Sequence, residues 1–181
     1  MAFLIEDGRG RGFKAEVNPE NELVVRAIVE PEIEHASGEG EAYAWHAPIR
    51  DLVAGETMLF VKNLGTTPLI LDRVVFAGSN VICQWDIGIG SATTTPAGDA
   101  VVGVNMNGTF STKVAETAAF TDETAVADAT VMFHVWTPIT SLVDFSLDGI
   151  ILGQNHYVQI NQETESTAGS LTLVGHFENP S

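Results

Sequence analysis

The sequence is poor in basic residues. Eight lysines and arginines stand against 24 aspartates and glutamates among 181 residues, so the formal net charge at pH 7 is −16. A surface with this charge repels the phosphates of nucleic acids and of anionic membranes, and we expect neither as a partner. The charge suits docking to a surface with basic patches, and it is equally typical of proteins from salty environments.

Cysteine and long apolar runs are also scarce. The single cysteine, Cys83, excludes an intramolecular disulfide, and its place in the apolar run 81–83 predicts a buried, unreactive thiol. No apolar run approaches the roughly 20 residues of a membrane span. The N-terminus lacks the basic and then apolar pattern of a signal peptide, because Glu6 and Asp7 come too early. We therefore expect synthesis in the cytoplasm without export by the usual route.

Sequence patterns of catalysis and metal binding are missing as well. The chain contains no G-x-S-x-G nucleophile motif, no H-x-H ligand pair and no EF-type calcium loop. Acid pairs such as Asp122 and Glu123 carry little signal for a glycosidase when acids are so abundant. We predict that the protein is not an enzyme and uses no cofactor or metal, with calcium at the acidic loop 122–128 as a minor alternative. Structural, hydrogen-bonded roles are expected for the five histidines, His35, His46, His134, His156 and His176.

The chain does contain a series of short β patterns. From residue 41 onward they recur about every dozen residues, separated by glycine and proline turns and with almost no helical period. We predict an all-β fold, a jelly-roll-like β-sandwich, because the long loops 90–99 and 115–129 fit Greek-key crossovers. An immunoglobulin-like sandwich is the alternative, although its Cys…Trp…Cys spacing is missing. The strand candidates are residues 41–46, 57–62, 69–76, 80–89, 100–106, 130–136, 142–147, 150–152, 157–160 and 170–177.

Single residues predict further details of these strands. Pro48 is expected to end the first one. The polar pair Asp72 and Arg73, in the middle of an apolar run, indicates a bulge or an end of pairing. Asp148 and Gly149 predict the tight turn of a hairpin.

Two stretches in the middle of the chain are predicted to be turns or loops. Asn107 and Gly108 are typical of a tight turn, after which residues 110–113 could pair back. Residues 115–129 are small, polar and acidic, with threonines that weaken a helix. We therefore expect an excursion loop there, with at most one helical turn.

The N-terminal residues 1–40 differ from the remainder and predict an arm attached to a body of residues 41–181. The arm holds four of the eight basic residues, and its thin apolar content leaves little to bury. A hairpin over residues 13–29 is plausible, and residues 37–40 are expected to form a flexible joint. Attachment to a partner is the role that we assign to this arm, through Arg9, Arg11, Phe13, Lys14 and Arg26.

Aromatic residues offer a possible binding platform for glycans. Tyr43 and Trp45 alternate on one strand and so share a face, while Trp85 lies on another strand. Exposed rings would support carbohydrate binding. The competing interpretation is that they belong to the core, since the chain has only three tryptophans and two tyrosines.

Much of the chain resembles a group of virion structural proteins of tailed bacteriophages. The resemblance is structural in character and implies no active site. It lies in residues 10–18 (GRGFKAEVN), 21–27 (NELVVRA), 34–37 (EHAS), 59–63 (LFVKN), 85–90 (WDIGIG), 153–165 (GQNHYVQINQETE) and 174–177 (VGHF).

The resemblance implies an accessory structural protein of a phage particle, made in the host cytoplasm. We expect a capsid decoration, or cement, protein on the capsid surface, with the major capsid protein or neighbouring virion proteins as partners. A homotrimer is favoured by the local three-fold axes of capsids. The alternative is a host-recognition, glycan-binding module of a head or tail fibre.

Overall fold

The chain divides into two compact units, Met1–Pro31 and Glu32–Ser181. The computed structural model describes residues 16–17, 23–24, 32–52, 54–77, 80–91, 98–110, 112–121, 123–124, 129–164 and 166–178. In the first unit, strands β1 (Glu16–Val17) and β2 (Leu23–Val24) pair antiparallel. The chain therefore reverses between them, as the predicted hairpin requires.

The second unit begins with a helix, α1 (Glu32–Glu39), and not with the flexible joint expected at residues 37–40. Gly40 ends the helix at a φ of 75°, a backbone conformation that glycine adopts without strain. The Gly40 N–H donates to the carbonyl of Ser37 (3.1 Å) and the Glu41 N–H to that of Ala36 (2.8 Å). These two bonds form a Schellman cap, so the glycine fixes the chain direction at this point instead of loosening it.

The rest of the second unit is built almost entirely of strands, and the prediction of an all-β sandwich is confirmed. Sheet one has the order β11-β6-β13-β4-β9-β7, with β10 also paired to β4, and sheet two has the order β12-β5-β14-β3-β8. The strands are β3 (Ala42–Leu52), β4 (Glu56–Asn63), β5 (Leu69–Ala77), β6 (Cys83–Ser91), β7 (Asp99–Val101), β8 (Val104–Asn105), β9 (Thr117–Thr121), β10 (Glu123–Thr124), β11 (Thr130–Thr137), β12 (Leu142–Leu152), β13 (His156–Gln162) and β14 (Ser166–Phe177).

Eight long strands pair as if one long hairpin had been folded over. The first four, β3 to β6, pair antiparallel with the last four in reverse order: β3 with β14, β4 with β13, β5 with β12 and β6 with β11. Successive strands alternate between the two sheets along β3 to β6. This is the order in which a jelly roll arranges its eight strands.

An insertion between β6 and β11 covers the opposite side of the sandwich. Its strand β9 pairs with β4 at the margin of sheet one, and β8 pairs with β3 at the margin of sheet two. A 3₁₀ helix, Gly108–Phe110, lies between β8 and β9. The edges of β3 and β4 are therefore largely covered, which removes unpaired backbone groups from this side.

The core lies between the two sheets. Leu59, Val74, Ile87 and Leu173 contribute to it from strands of both sheets, and all four are essentially inaccessible to solvent. Close packing of rings adds to this apolar contact, since Phe76 and Trp85 lie 5.1 Å apart between ring centroids. The alternating patterns predicted from the sequence are thus the inward faces of paired strands.

One local prediction is confirmed, and one is wrong. On β5, Arg73 pairs with Val174 while Leu71 pairs with Gly175, so Asp72 is the extra residue of a bulge, as predicted. Pro48 does not end its strand, because β3 continues to Leu52. The proline falls in a register shift against β14, where its missing N–H interrupts no ladder bond.

Two predicted connections are continuous strands in the structure. Residues 142–152 form one strand, because both halves of β12 pair along the same neighbour, β5, and the tight turn at Asp148 and Gly149 is replaced by a wide bulge. The expected excursion loop 115–129 contains β9 and β10, since pairing with the margin of β4 overrides the weak local propensity. A tight hairpin turn at Asn107 is likewise replaced by the 3₁₀ helix.

Candidate binding surfaces

The aromatic residues predicted as a glycan platform lie in the core. Tyr43, Trp45 and Trp85 are each at most 1% exposed. Tyr43 and Trp45 do share one face of β3, but that face points between the sheets. The prediction of an exposed platform from these three rings is therefore corrected, and the competing interpretation, that they are core residues, describes them.

Both buried indoles have a hydrogen-bond partner for their N–H group. Trp45 Nε1 donates to Thr117 Oγ1 (3.2 Å), and Trp85 Nε1 donates to Thr137 Oγ1 (3.0 Å). Gly103 lies so close to the Trp45 ring that a Cβ there would approach Nε1 to 2.6 Å. The insertion between β6 and β11 thus seals the Trp45 side of the core.

The N-terminal residues to which we assigned partner attachment lie outside the described part of the chain. These residues are Arg9, Arg11, Phe13, Lys14 and Arg26. Their role stays a prediction from the sequence.

The Cys83 thiol is buried, as predicted. Burial raises its pKa to about 11 from an ordinary value of 9.0. Its Sγ lies 3.6 Å from the carbonyl oxygen of Thr164, a weak hydrogen bond that partly opposes this rise. A thiol that stays protonated at neutral pH is a poor nucleophile.

Two mid-strand histidines contact carboxylates on the outer faces of the sheets. His134 Nδ1 lies 2.6 Å from Asp86 Oδ1 on sheet one, and His176 Nδ1 lies 3.0 Å from Asp72 Oδ2 on sheet two. His176 is almost completely buried, whereas His134 is exposed. Among the described residues, no group of three or more histidines, cysteines and acids could hold a metal ion.

A groove on the outer face of sheet two is the largest concave feature that we find in the second unit. It has a volume of about 860 Å³. The sheet contributes its floor, and α1, which packs on β3 and β14, contributes a wall. We call it the sheet-two groove; its lining residues include Ile33, Glu34, Asp72, Arg73, Asp144 and Val174.

The chemistry of the sheet-two groove is acidic on a partly apolar base. Three carboxylates, those of Glu34, Asp72 and Asp144, face one guanidinium, that of Arg73. Arg73 Nη1 lies 3.4 Å from Asp144 Oδ2, and both side chains are about half exposed, so this ion pair contributes little to stability. Asp144 can therefore accept another cation at small cost. The groove suits a cationic ligand that also has an apolar part.

The bulge on β5 creates the acidic part of this groove. In a regular strand Asp72 and Arg73 would point to opposite faces. The extra residue at Asp72 lets both line the same groove, where Asp72 reaches His176 and Arg73 reaches Asp144. The signal for this site was present in the sequence as the polar pair within an apolar run. The contribution of Asp144, about seventy positions away, carried no such signal.

Exposed apolar side chains gather along one side of the sandwich. β11 and β12 are the outermost strands of sheets one and two, and only four residues connect them, so both margins lie on the same side. We call this the β11–β12 side. Its exposed apolar residues include Val131, Met132, Trp136, Ile139 and Leu142, with Trp136 60% and Leu142 73% exposed.

The insertion gives the opposite side a similar character. Val102, Val104 and Val114 are each about two-thirds exposed, and Met106 is exposed as well. These residues flank or lie in β8, at the margin of sheet two. Exposed apolar groups on both lateral sides mark surfaces suited to protein contacts.

Comparison with known proteins adds little. No protein-family model and no curated protein matches the chain. Among solved structures, the chain is similar to one from "KBV activated particle at acidic pH", with 10% sequence identity and a TM-score of 0.24 over 98% of this chain and 84% of that chain. The likeness is to a viral particle at most, and a TM-score this low shows neither a shared fold nor a shared function. No helix of the described residues is long and apolar enough to cross a membrane.

Proposed function

We propose that the protein is a virion structural protein of a tailed bacteriophage that binds the capsid surface as a decoration, or cement, protein. It has no catalytic role in this proposal and uses no cofactor. Its partners are the major capsid protein or neighbouring virion proteins, and it acts as a homo-oligomer, with a trimer favoured. The resemblance of the sequence to phage virion proteins supports this setting.

The observation that carries the proposal is the distribution of exposed apolar side chains. A β-sandwich needs a buried interior, but it does not need a tryptophan and a leucine exposed on its outermost strands. Trp136 and Leu142 lie on the β11–β12 side, and Val102 and Val104 lie on the opposite side. A body that presents apolar groups on two lateral sides suits lateral contact with neighbours in a regular array, where many weak contacts add up.

The separate N-terminal unit, Met1–Pro31, supports the same role. It holds four of the eight basic residues of the chain, whereas the second unit carries 18 acidic and 4 basic residues. A basic extension on an acidic body is a means of attachment to a surface that the body alone would meet weakly. The alternative of a glycan-binding fibre module loses the three rings on which it was based, because they are buried.

The proposal is tested on particles of the phage that carries the gene. Electron cryomicroscopy should place the protein on the outside of the capsid at a fixed copy number. Particles lacking the gene product should rebind the purified protein, and protein lacking residues 1–31 should rebind at least about tenfold less while its second unit stays folded. Full occupancy by the truncated protein, or a location confined to the tail, would contradict the proposal.

A point variant tests the lateral contact separately. Trp136→Ala should lower occupancy on the particle, yet change the free energy of unfolding by less than about 0.5 kcal/mol, because the ring is mostly exposed. Thr130→Ala, an exposed polar position on the same strand, is the matched control and should leave occupancy unchanged. Equal occupancy for both variants would remove the β11–β12 side from the contact.

A further inference from the structure

The sheet-two groove and the basic N-terminal segment have complementary chemistry. The groove combines the carboxylates of Glu34, Asp72 and Asp144 with apolar groups such as Ile33 and Val174. Residues 8–14 of the chain read GRGRGFK and carry three positive charges without an acid. No other stretch of seven residues in the sequence is so basic.

The spacing within this segment fits a groove beside a sheet. Arg9, Arg11 and Phe13 are two residues apart, so an extended chain would present all three on one side. Two cations and an aromatic ring on one side correspond to the acidic and apolar lining of the groove. The intervening glycines have no side chain that would hold the backbone away from the groove floor. Lys14 falls on the opposite side of the extended chain.

The groove is able to receive such a segment electrostatically. Its carboxylates outnumber its single guanidinium, and the Arg73–Asp144 pair is weak enough to rearrange. An arginine can engage a carboxylate with two parallel hydrogen bonds, which adds geometric specificity to the attraction. A lysine-sized point charge would gain less from the same site.

We infer that residues 8–14 of one copy bind in the sheet-two groove of a second copy, with Arg9 and Arg11 at the carboxylates and Phe13 on the apolar part. The second unit of each copy has a net charge of −14 from its 18 acids and 4 bases, so two such bodies repel each other. A basic segment laid between them offsets this repulsion. The inference concerns association in solution and does not depend on the virion role.

Disulfide trapping between two differently sized full-length chains tests the inference. One chain carries Arg11→Cys, and the other, lengthened by a tag, carries Glu34→Cys on the exposed part of α1. Native Cys83 contributes little background because it is buried. On mild oxidation we expect a mixed disulfide between tagged and untagged chains, at least about tenfold more than when the tagged chain carries Ser91→Cys on sheet one. No excess over this control would overturn the inference.

Two further arms separate the remaining occupants. In a chain with both Arg11→Cys and Glu34→Cys, a disulfide formed only within the chain would place the segment on its own body and overturn the claim for a second copy. In sedimentation equilibrium at low salt, Arg9→Glu with Arg11→Glu should weaken self-association about tenfold or more. Lys14→Glu, on the opposite side, should weaken it at most about threefold. Equal effects per charge would show a general charge effect and no binding in the groove.

Discussion

Asn63 offers the sharpest test of how the sandwich is held together. Its side chain is completely buried at the end of β4, an unusual place for an amide. Asn63 Nδ2 donates to the carbonyls of Thr67 (2.8 Å) and Leu152 (2.9 Å), and Oδ1 accepts from the Gly65 N–H (3.0 Å). One amide thus joins the β4–β5 turn to the end of β12, in the other sheet. We consider its replacement by leucine, which has a similar size.

The magnitude follows from these three hydrogen bonds. Each contributes about 0.5–1.5 kcal/mol net, and a buried carbonyl left without a partner costs about 1–3 kcal/mol. The Gly65 N–H retains a second contact to the Glu116 carbonyl at 3.3 Å, so its loss is small. The two carbonyls dominate, and we expect Asn63→Leu to lower the free energy of unfolding by about 3–5 kcal/mol. That is a large part of the 5–15 kcal/mol typical of a domain.

Asn63→Asp separates hydrogen bonding from size. The carboxylate keeps an acceptor for Gly65 but places a negative charge against two carbonyl oxygens in a buried site. Burial would raise the pKa of this carboxyl in the folded state above the roughly 3.9 of an unfolded aspartate. The folded state then binds the proton more tightly, so the stability of this variant relative to the native chain is greatest below about pH 4 and declines as the pH rises above it.

Urea unfolding followed by tryptophan fluorescence measures both variants. We expect a lower midpoint at an unchanged slope for Asn63→Leu at pH 7, and a larger loss for Asn63→Asp that shrinks toward pH 4. The exposed Asn155→Ala is not a suitable control, because that residue has a positive φ. Gln154→Ala, exposed in the same turn, is suitable and should cost under about 0.5 kcal/mol. A loss below about 1 kcal/mol for Asn63→Leu would refute the assignment of the amide as a structural link.

The remaining predictions concern the end of α1 and the lone thiol. Gly40→Ala should lower the free energy of unfolding by about 1–2 kcal/mol because of its positive φ, whereas Gly38→Ala, inside the helix with open space around a Cβ, should raise it by about 0.5–1 kcal/mol; calorimetry of both variants would detect opposite shifts. Cys83 should resist thiol reagents at pH 8 until urea unfolds the chain, and rapid labelling of native protein would contradict its burial. Since its pKa is raised from 9.0 to about 11, its contribution to stability is lost as the pH rises from about 9 through 11, and Cys83→Ala should remove that part of the alkaline decline.

The strands of the two sheets could be predicted well from the sequence where the pattern of a strand is strong in itself. Runs such as 69–76 and 157–160 lie in central strands, and the polar pair within the first run correctly indicated a bulge. The helix could not be predicted in this way. Its eight residues include Ser37 and Gly38, which are weak helix formers. Asn107, seventy positions later, stabilises it by donating to the Ser37 carbonyl (2.9 Å).

The insertion was mispredicted for a related reason. Residues 117–121 read TAAFT, and nothing in five small residues and a phenylalanine distinguishes a strand from a loop. The margin of β4 decides the matter, because it offers unpaired backbone groups to whichever segment lies beside it. Pairing of this kind depends on a neighbour more than fifty positions away. Local propensity therefore carries almost no information about it.

The tryptophans show what period-two alternation can and cannot predict. Alternation establishes that Tyr43 and Trp45 share a face and that Trp136 lies on the face opposite Val135. It does not say which face is buried, and the outcome differs: Trp45 is fully buried while Trp136 is 60% exposed. The difference arises because β3 lies within its sheet, with its inner face against the core, whereas β11 is the outermost strand of sheet one. An exposed ring on an outermost strand stabilises no core, so its retention argues for a contact with another protein, and occupancy of Trp136→Ala on the particle is the measurement that decides it.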